Sequence, residues 1–502
     1  MFYNIIDSER RSGDSTTVTN PRTNEPLWDV PVARETQLNY AVEAARVSFK
    51  SWKLLTIEER QRYLLKLADE LEQQRDEIHA PLAGETGKSV TKTFHVVSIG
   101  NMANKLPRTS SHKWRLMILW LLSDLMYCKS TFQNAVWQEK LTGPASQSLP
   151  DKVEHENDKI KIVSTHHPIG VVGAILPWNF PLVLAVAKAS AALVMGNCVI
   201  VKPSPYTPCA TLKFVELATS VLPRGVLQAL NGGDDMGRLI TMHPGIDKIS
   251  FTGSIAAGRE VAEIAGKTLK RVTLELGGND GCIVCPDVDV KTVAAQVAAG
   301  VFIHSGQMCV ATKRVYVHES IFQEFRDTFV EAVKDIKIDL DGDQSPMFSP
   351  IQNESQYNVV KETIADCKKN NYTFLCGGTT DEHPGFFIAP VVVDQPPDDS
   401  RIVQMEQFGP VIPLMKWSDE DELISRVNAT ETGLGGCVWA DDVGKAERIA
   451  RRVEVGTVWI NSAEDHNPYG YLSGWKQSGI GGECGHQGLM SYSRTQIIQL
   501  RK

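Results

Sequence analysis

Three side chains in this sequence could share one reaction. Cys309 lies in Ser305-Gly-Gln-Met-Cys-Val310. A thiolate is a strong nucleophile, although a single intracellular cysteine reads first as a buried structural thiol. Glu275 lies in Leu274-Glu-Leu-Gly-Gly-Asn279, a carboxylate among apolar residues. Burial favours the neutral form of such a group and can ready it as a general base; the plainer reading is an ion pair. Asn179 lies in Pro177-Trp-Asn-Phe-Pro181, where its amide can donate to a developing oxyanion or simply cap a helix.

A second group suits a nucleotide. Lys202 in Val201-Lys-Pro-Ser-Pro205 puts a cation at a strand end, suited to a ribose or phosphate unless it is a solvated surface lysine. In Phe251-Thr-Gly-Ser-Ile255, Gly253 permits close backbone approach and Ser254 can cap a helix whose positive end faces a phosphate. The GxGxxG fingerprint is absent here. Glu406-Gln-Phe-Gly-Pro410 and Lys476-Gln-Ser-Gly-Ile-Gly481 are glycine-punctuated loops.

The elements that must position these groups are legible from periodicity. Residues 41–80 read as helices, with Leu64, Leu65, Leu67, Ala68 and Leu71 at helical spacing, and Gly84-Glu-Thr-Gly87 breaks the pattern. From residue 170 strands alternate with helices. Strands are expected at 171–176, 198–202, 227–230, 248–251 and 272–276, and helices at 181–195, 208–221, from 234, and 254–269. This alternation predicts a parallel sheet covered on both faces, binding ligand at the carboxyl ends of its strands. Gly277-Gly278 marks a lobe boundary, and a second α/β pattern follows, with helices at 290–301 and 322–333 and a strand at 314–317. The terminal run Thr495–Leu500 reads as an unpaired strand in need of an edge, which predicts an oligomer contact.

With 502 residues the chain is too long for one core. A net charge of -8 gives no electrostatic reason to expect nucleic acid or an anionic membrane as a partner. The N-terminus lacks the pattern of a secretory signal, and the apolar run Trp114–Met126 is too short to span a bilayer, so a cytoplasmic location is expected. Cys282 and Cys285 form a CxxC inside an apolar run and read as core packing, not as a metal site.

Together the runs PWNFP, VKPSPYTP, FTGS, LELGG, GQMC, EQFGP and KQSGIG closely resemble the aldehyde dehydrogenase superfamily, in the family's order and spacing. The resemblance implies a Rossmann-like parallel-sheet cofactor lobe (1–145 and 167–277), a second α/β catalytic lobe (278–473) and a small β oligomerisation element (146–166 and 489–502) that builds a homodimer or homotetramer. It implies that Cys309 attacks a small-molecule aldehyde, that Asn179 and the Cys309 N–H hold the oxyanion, and that Glu275 activates water against the thioester. Lys188 and Glu483 match positions that assist proton transfer behind Glu275. Trp178, Lys202, Ser204, Gly253 and Ser254 would line NAD or NADP, with Glu406 on the nicotinamide ribose and Phe408 near the ring. A carboxylate at Glu275 favours hydrolysis to an acid over transfer to coenzyme A.

The chain departs from the family in three places. Pro205 replaces a glutamate that many NAD-preferring relatives carry, which opens the site to NADP while NAD remains the first expectation. Residues 97–148 read as an atypical insertion. Pro468-Tyr-Gly-Tyr-Leu-Ser-Gly-Trp475 is expanded where relatives have Pro-Phe-Gly-Gly at the substrate entrance. The alternative to an active enzyme is a catalytically inactive homologue with a structural or binding role. A cysteine hydrolase pairing Cys309 with His304 would leave the nucleotide-site residues unexplained.

Overall fold

The computed structural model describes residues 1–88, 151–338, 348–380, 383–464 and 467–502. The expected insertion at 97–148, with its apolar run, lies outside the described residues.

Eight strands form the first sheet, in the order Glu9–Arg11, Asn4–Ile6, Leu227–Ala229, Cys198–Lys202, Val171–Ile175, Lys248–Thr252, Arg271–Glu275 and Gly479–Ile480. The central strands from Leu227–Ala229 to Arg271–Glu275 are parallel. Numbered along the chain, those strands are ordered 3-2-1-4-5. This is the doubly wound arrangement, whose strand order reverses between Val171–Ile175 and Lys248–Thr252. Every residue of Val171–Ile175, Cys198–Lys202 and Lys248–Thr252 is buried, because helices cover both faces of the sheet. The two outer ends are antiparallel: Asn4–Ile6 lies on Leu227–Ala229, and Gly479–Ile480 on Arg271–Glu275. Neither edge strand is long enough to announce itself by alternation.

The helices follow their sequence signals. Pro181–Val194 starts with proline in its first turn and is followed by Gly196 in the left-handed region. Ile255–Gly266 is capped by Ser254, whose hydroxyl accepts from the Ala257 N–H at 3.2 Å. One expectation is corrected: Gly84 does not break the helical pattern. Helix Arg75–Thr86 runs through it and stops at Gly87, whose φ is 68°. A Cβ on Gly84 would lie 2.6 Å from the Trp28 ring, so this glycine serves close packing.

The second sheet has seven strands, ordered Thr373–Cys376, Val391–Asp394, Val411–Trp417, Thr312–His318, Asp280–Val284, Gly435–Trp439 and Thr457–Ile460. Gly277 and Gly278 fall between the last parallel strand of the first sheet and Asp280–Val284 of the second. The Cys282 and Cys285 thiols are free and buried in the second lobe's core.

The tail also departs from expectation. Strand Ser493–Arg501 is not unpaired: it lies antiparallel to Ile160–Pro168, with Lys152–Glu156 on the far side. The partner strand is more than three hundred residues away in sequence (Thr165 and Gln496 are 331 apart), beyond the reach of any local pattern. Ile497 and Leu500 remain about half exposed on this small sheet.

Candidate active site

The carboxyl edge of the first sheet faces the amino edge of the second, and a cavity of about 610 Å³ lies between them. From the first lobe its lining follows the strands: Pro177 to Phe180 after Val171–Ile175, Gly253 and Ser254 after Lys248–Thr252, and Leu276 and Gly277 after Arg271–Glu275. From the second lobe it precedes or opens them: Met308 and Cys309 before Thr312–His318, Glu406 and Phe408 before Val411–Trp417, and Thr457 to Trp459 in Thr457–Ile460. Trp178 and Asn179 thus meet Gly253 and Ser254 at the switch point, where doubly wound sheets bind ligands.

Cys309 is partly exposed and lines this cavity, unlike the buried Cys198, Cys209, Cys282 and Cys285. Its segment is tightly constrained. His304 and Ser305 have φ of 47° and 55°, a left-handed conformation that ordinary residues hold only when their surroundings enforce it. The Ser305 hydroxyl bonds the Ser349 carbonyl, and the Ser349 N–H donates back to that hydroxyl at 3.2 Å. Gly306 has φ 73°, and a Cβ there would sit 2.5 Å from the Gly409 carbonyl. The glycine of GQMC is therefore required by close approach to EQFGP. Burial pushes the Cys309 thiol up to about 12, with Lys313 pulling the other way, so the resting sulfur holds its proton.

Asn179 is buried and does not cap the following helix, a position taken by Phe180. Its Nδ2 donates to the Gln307 carbonyl at 2.9 Å, and its Oδ1 accepts from the Phe180 N–H at 3.1 Å. The amide is thereby oriented, and its second N–H can still serve an oxyanion beside Cys309.

Glu275 ends its strand opposite Gly479 and is 6% exposed. Its Oε1 accepts no hydrogen bond among the described residues. Burial raises this carboxyl well above the usual range, the Glu483 charge raises it further, and Lys188 and the Glu483 backbone N–H oppose the shift. The nearest cation is committed elsewhere: Lys188 Nζ is paired with Glu483 Oε1 and also donates to Ser250 Oγ at 3.1 Å. Ser250 Oγ in turn donates to Glu483 Oε1 at 2.7 Å and accepts from the Tyr492 hydroxyl at 3.1 Å. A hydroxyl has one hydrogen and two lone pairs, so Ser250 is fully used. Ser250 and Tyr492 were not expected; the available signal was a serine inside an apolar buried strand.

On the nucleotide side, the structure brings Trp178, Gly253, Ser254, Glu406 and Phe408 into the cavity wall and leaves Lys202 and Ser204 outside it, at the carboxyl end of the adjacent strand. Lys202 is 4% exposed, which removes the surface-lysine reading. Burial lowers it to about 8, and Asp234 partly restores it. Its Nζ gives one hydrogen bond, to the Pro203 carbonyl at 3.1 Å, and an ammonium has three to give. Ser204 Oγ accepts from the Tyr206 N–H at 3.3 Å and shapes the turn. The Trp178 and Phe408 rings meet edge to face at 5.3 Å. Glu406 lies so close to Gly277 that a Cβ there would be 2.1 Å from its Oε2. A cavity-facing carboxylate, a buried ammonium with donors to spare and a capped helix start fit a dinucleotide's ribose hydroxyls and phosphates.

A doubly wound lobe set against a second α/β lobe, with a thiol at the seam, defines a two-lobed dehydrogenase architecture. The chain belongs to the aldehyde dehydrogenase family, whose model matches residues 8–112 and 126–498 and pauses only across 113–125. The FUS7 protein of Gibberella fujikuroi is 39% identical over all of this chain and 99% of its own length. Human retinaldehyde dehydrogenase 3 is 34% identical over all of this chain and 92% of its own. The structure is similar to betaine aldehyde dehydrogenase of Staphylococcus aureus in complex with NAD+, with a TM-score of 0.87 at 28% identity over 99% of this chain and 97% of that one. As a family member the protein is an oxidoreductase acting on aldehydes with a nicotinamide dinucleotide. No helix among the described residues is long and apolar enough to cross a membrane.

Proposed function

We propose that the protein oxidises an uncharged, largely apolar aldehyde to its carboxylic acid, with NAD as the preferred cofactor, through a covalent intermediate on Cys309. The observation that supports this reading is that Cys309 and the oriented Asn179 amide line one cavity, while Glu275, whose Oε1 accepts no hydrogen bond among the described residues, ends the adjoining strand just outside that lining. The Cys309 thiol gives up its proton to solvent as its sulfur adds to the aldehyde carbon. Asn179 Nδ2 and the Cys309 N–H hold the oxygen of the thiohemiacetal. When bound, the nicotinamide supplies the hydride acceptor, and loss of hydride leaves a thioester on Cys309. Glu275 then takes a proton from water, which attacks the acyl carbon, and the thiol leaves with the acid formed. Lys188 and Glu483 lie behind Glu275 and can pass that proton on.

Trp178, Lys202, Ser204, Gly253, Ser254, Glu406 and Phe408 would hold the cofactor. Pro205 leaves room for NADP as a second cofactor. The substrate preference rests on the lining, where Phe180, Leu184, Ile303, Met308, Trp459 and Leu472 supply mostly apolar surface. Asn467, Gly470, Tyr471 and Leu472 bring the expanded loop into this wall, so the loop helps select the aldehyde.

The test is formation of reduced nicotinamide with NAD or NADP and a panel of aldehydes, with Cys309→Ser beside the wild type. The panel includes a carboxylated aldehyde, because Lys88 is the lysine among the described lining residues. Turnover that is lost in Cys309→Ser and greatest with apolar aldehydes supports the reading. Folded protein without turnover on any pair would instead support an inactive homologue. Light scattering on the same preparation gives the subunit number, for which two or four is expected from the family resemblance, with the half-exposed tail sheet as the candidate contact.

A further inference from the structure

Lys313 carries no motif in the sequence, yet it is the most heavily engaged cation near the nucleophile. It is 3% exposed. Its Nζ donates to the carbonyls of Met308 at 2.9 Å, Cys309 at 2.7 Å and Ala311 at 3.1 Å. Those bonds use all three ammonium hydrogens on the segment that carries the thiol. The same Nζ lies 3.5 Å from Glu406 Oε1, which also accepts from the Gly278 N–H at 3.3 Å. Three carboxylates share this cation's field: the buried Asp280 and Glu464 and the partly exposed Glu406. The Gly435 backbone N–H acts on Asp280, and Glu464 Oε1 accepts from the Thr312 N–H at 2.9 Å. Arg314, the next residue, is committed to the Asn279 and Val427 carbonyls.

Resting on the reading of Glu406 as the ribose-binding group, we propose that Lys313 is a positioning residue that couples nucleophile to cofactor. It fixes the backbone of residues 308–311 and, with the same ammonium, holds Glu406 as a carboxylate aimed into the cavity. A carboxylate can accept from both ribose hydroxyls, whereas its protonated form has one fewer acceptor and a misplaced hydrogen. Burial raises Glu406 to about 7, Lys313 opposes that shift, and Asp280 adds to it. Removing the ammonium therefore moves Glu406 further up and empties its ionised form at neutral pH.

The experiment is fluorescence titration with NADH across pH on wild type, Lys313→Met, Lys313→Arg, Glu406→Gln and the double variant. Loss of a charge-assisted contact predicts that Lys313→Met weakens NADH binding at pH 7 by about tenfold or more. Its acid-side midpoint should move to higher pH, and Lys313→Arg should recover most of both effects. In the Glu406→Gln background, Lys313→Met should add little. Lys313→Gln removes the charge while keeping two N–H donors for the carbonyls, so it gives the same test if the methionine variant does not fold. A Glu406→Gln variant that binds NADH weakly, together with an additive Lys313→Met or one without a pH shift, overturns the coupling alone. A Glu406→Gln variant that binds NADH as the wild type does overturns the assignment of Glu406, and the coupling with it.

Discussion

Two buried charge clusters flank Cys309, and they use their cations in opposite ways. Behind Glu275, Lys188 is paired with the other carboxylate, Glu483, and Ser250 saturates that pair. Glu275 Oε1 is left with no donor, in the condition of a base. Beneath Glu406, Lys313 is bound to backbone carbonyls while three carboxylates compete for its field. Asp280, Glu406 and Glu464 are raised to about 6, 7 and 7, each chiefly by burial. On the proposed reading, the first cluster would isolate one carboxylate for proton transfer. The second anchors a loop and aims a carboxylate. Residue type alone does not separate these roles; what separates them is which neighbour takes the ammonium's hydrogens.

The sharpest way to break this comparison is Glu275→Gln. If Glu275 serves hydrolysis, steady-state turnover should fall by ~10²–10⁴. Stopped-flow should still show one equivalent of reduced nicotinamide formed rapidly, because the thioester accumulates. Loss of the rapid phase together with turnover would instead make Glu275 the base for thiol attack.

Next in size is Lys188→Met. If Glu275 is the base for hydrolysis, turnover requires it ionised, and its raised carboxyl makes kcat climb with pH. Lys188 opposes the rise, so removing it should move the acid limb of the kcat profile to higher pH. The variant also leaves Glu483 buried without its cation, which costs about 3–5 kcal/mol in a denaturant melt. An unmoved acid limb in the folded variant would reduce Lys188 to a purely structural partner.

The mildest change is Gly277→Ala. Its Cβ would lie 2.1 Å from Glu406 Oε2, and the flexible carboxylate can swing away without moving the backbone. Cofactor KM should rise by about tenfold, an overpacking cost of roughly 1 kcal/mol or slightly more, while kcat changes little. Equal loss in kcat would mean that the displaced Glu406 also disturbs Cys309.

Much of the site is legible in the sequence. Buried parallel strands declare themselves as apolar runs, and the chemistry lies where those runs stop: Asn179, Gly253 and Glu275 each follow or end a strand of the first sheet. The residues that sequence reasoning misses are of a different kind. Glu85 caps helix Cys209–Ala218 by accepting from the Cys209 N–H across 124 residues of sequence. Lys313 stands beside Arg314 at the head of an apolar strand, and Ser250 and Tyr492 lie 242 residues apart. A buried polar residue shows in sequence as an exception to an apolar pattern, but the pattern does not reveal its partner.

The sequence by itself determined the alternation of strands and helices and offered Cys309, Glu275 and Asn179 as candidates, because periodicity, turn chemistry and nucleophilicity are local properties. Only the tertiary structure decided that the terminal strand pairs with Ile160–Pro168 within the chain, that Lys188 serves Glu483 while Lys313 serves the Cys309 backbone, and that EQFGP presses on GQMC. Hydrogen bonds and desolvation act over a few ångströms of space, and the chain must fold before residues hundreds of positions apart come within that range.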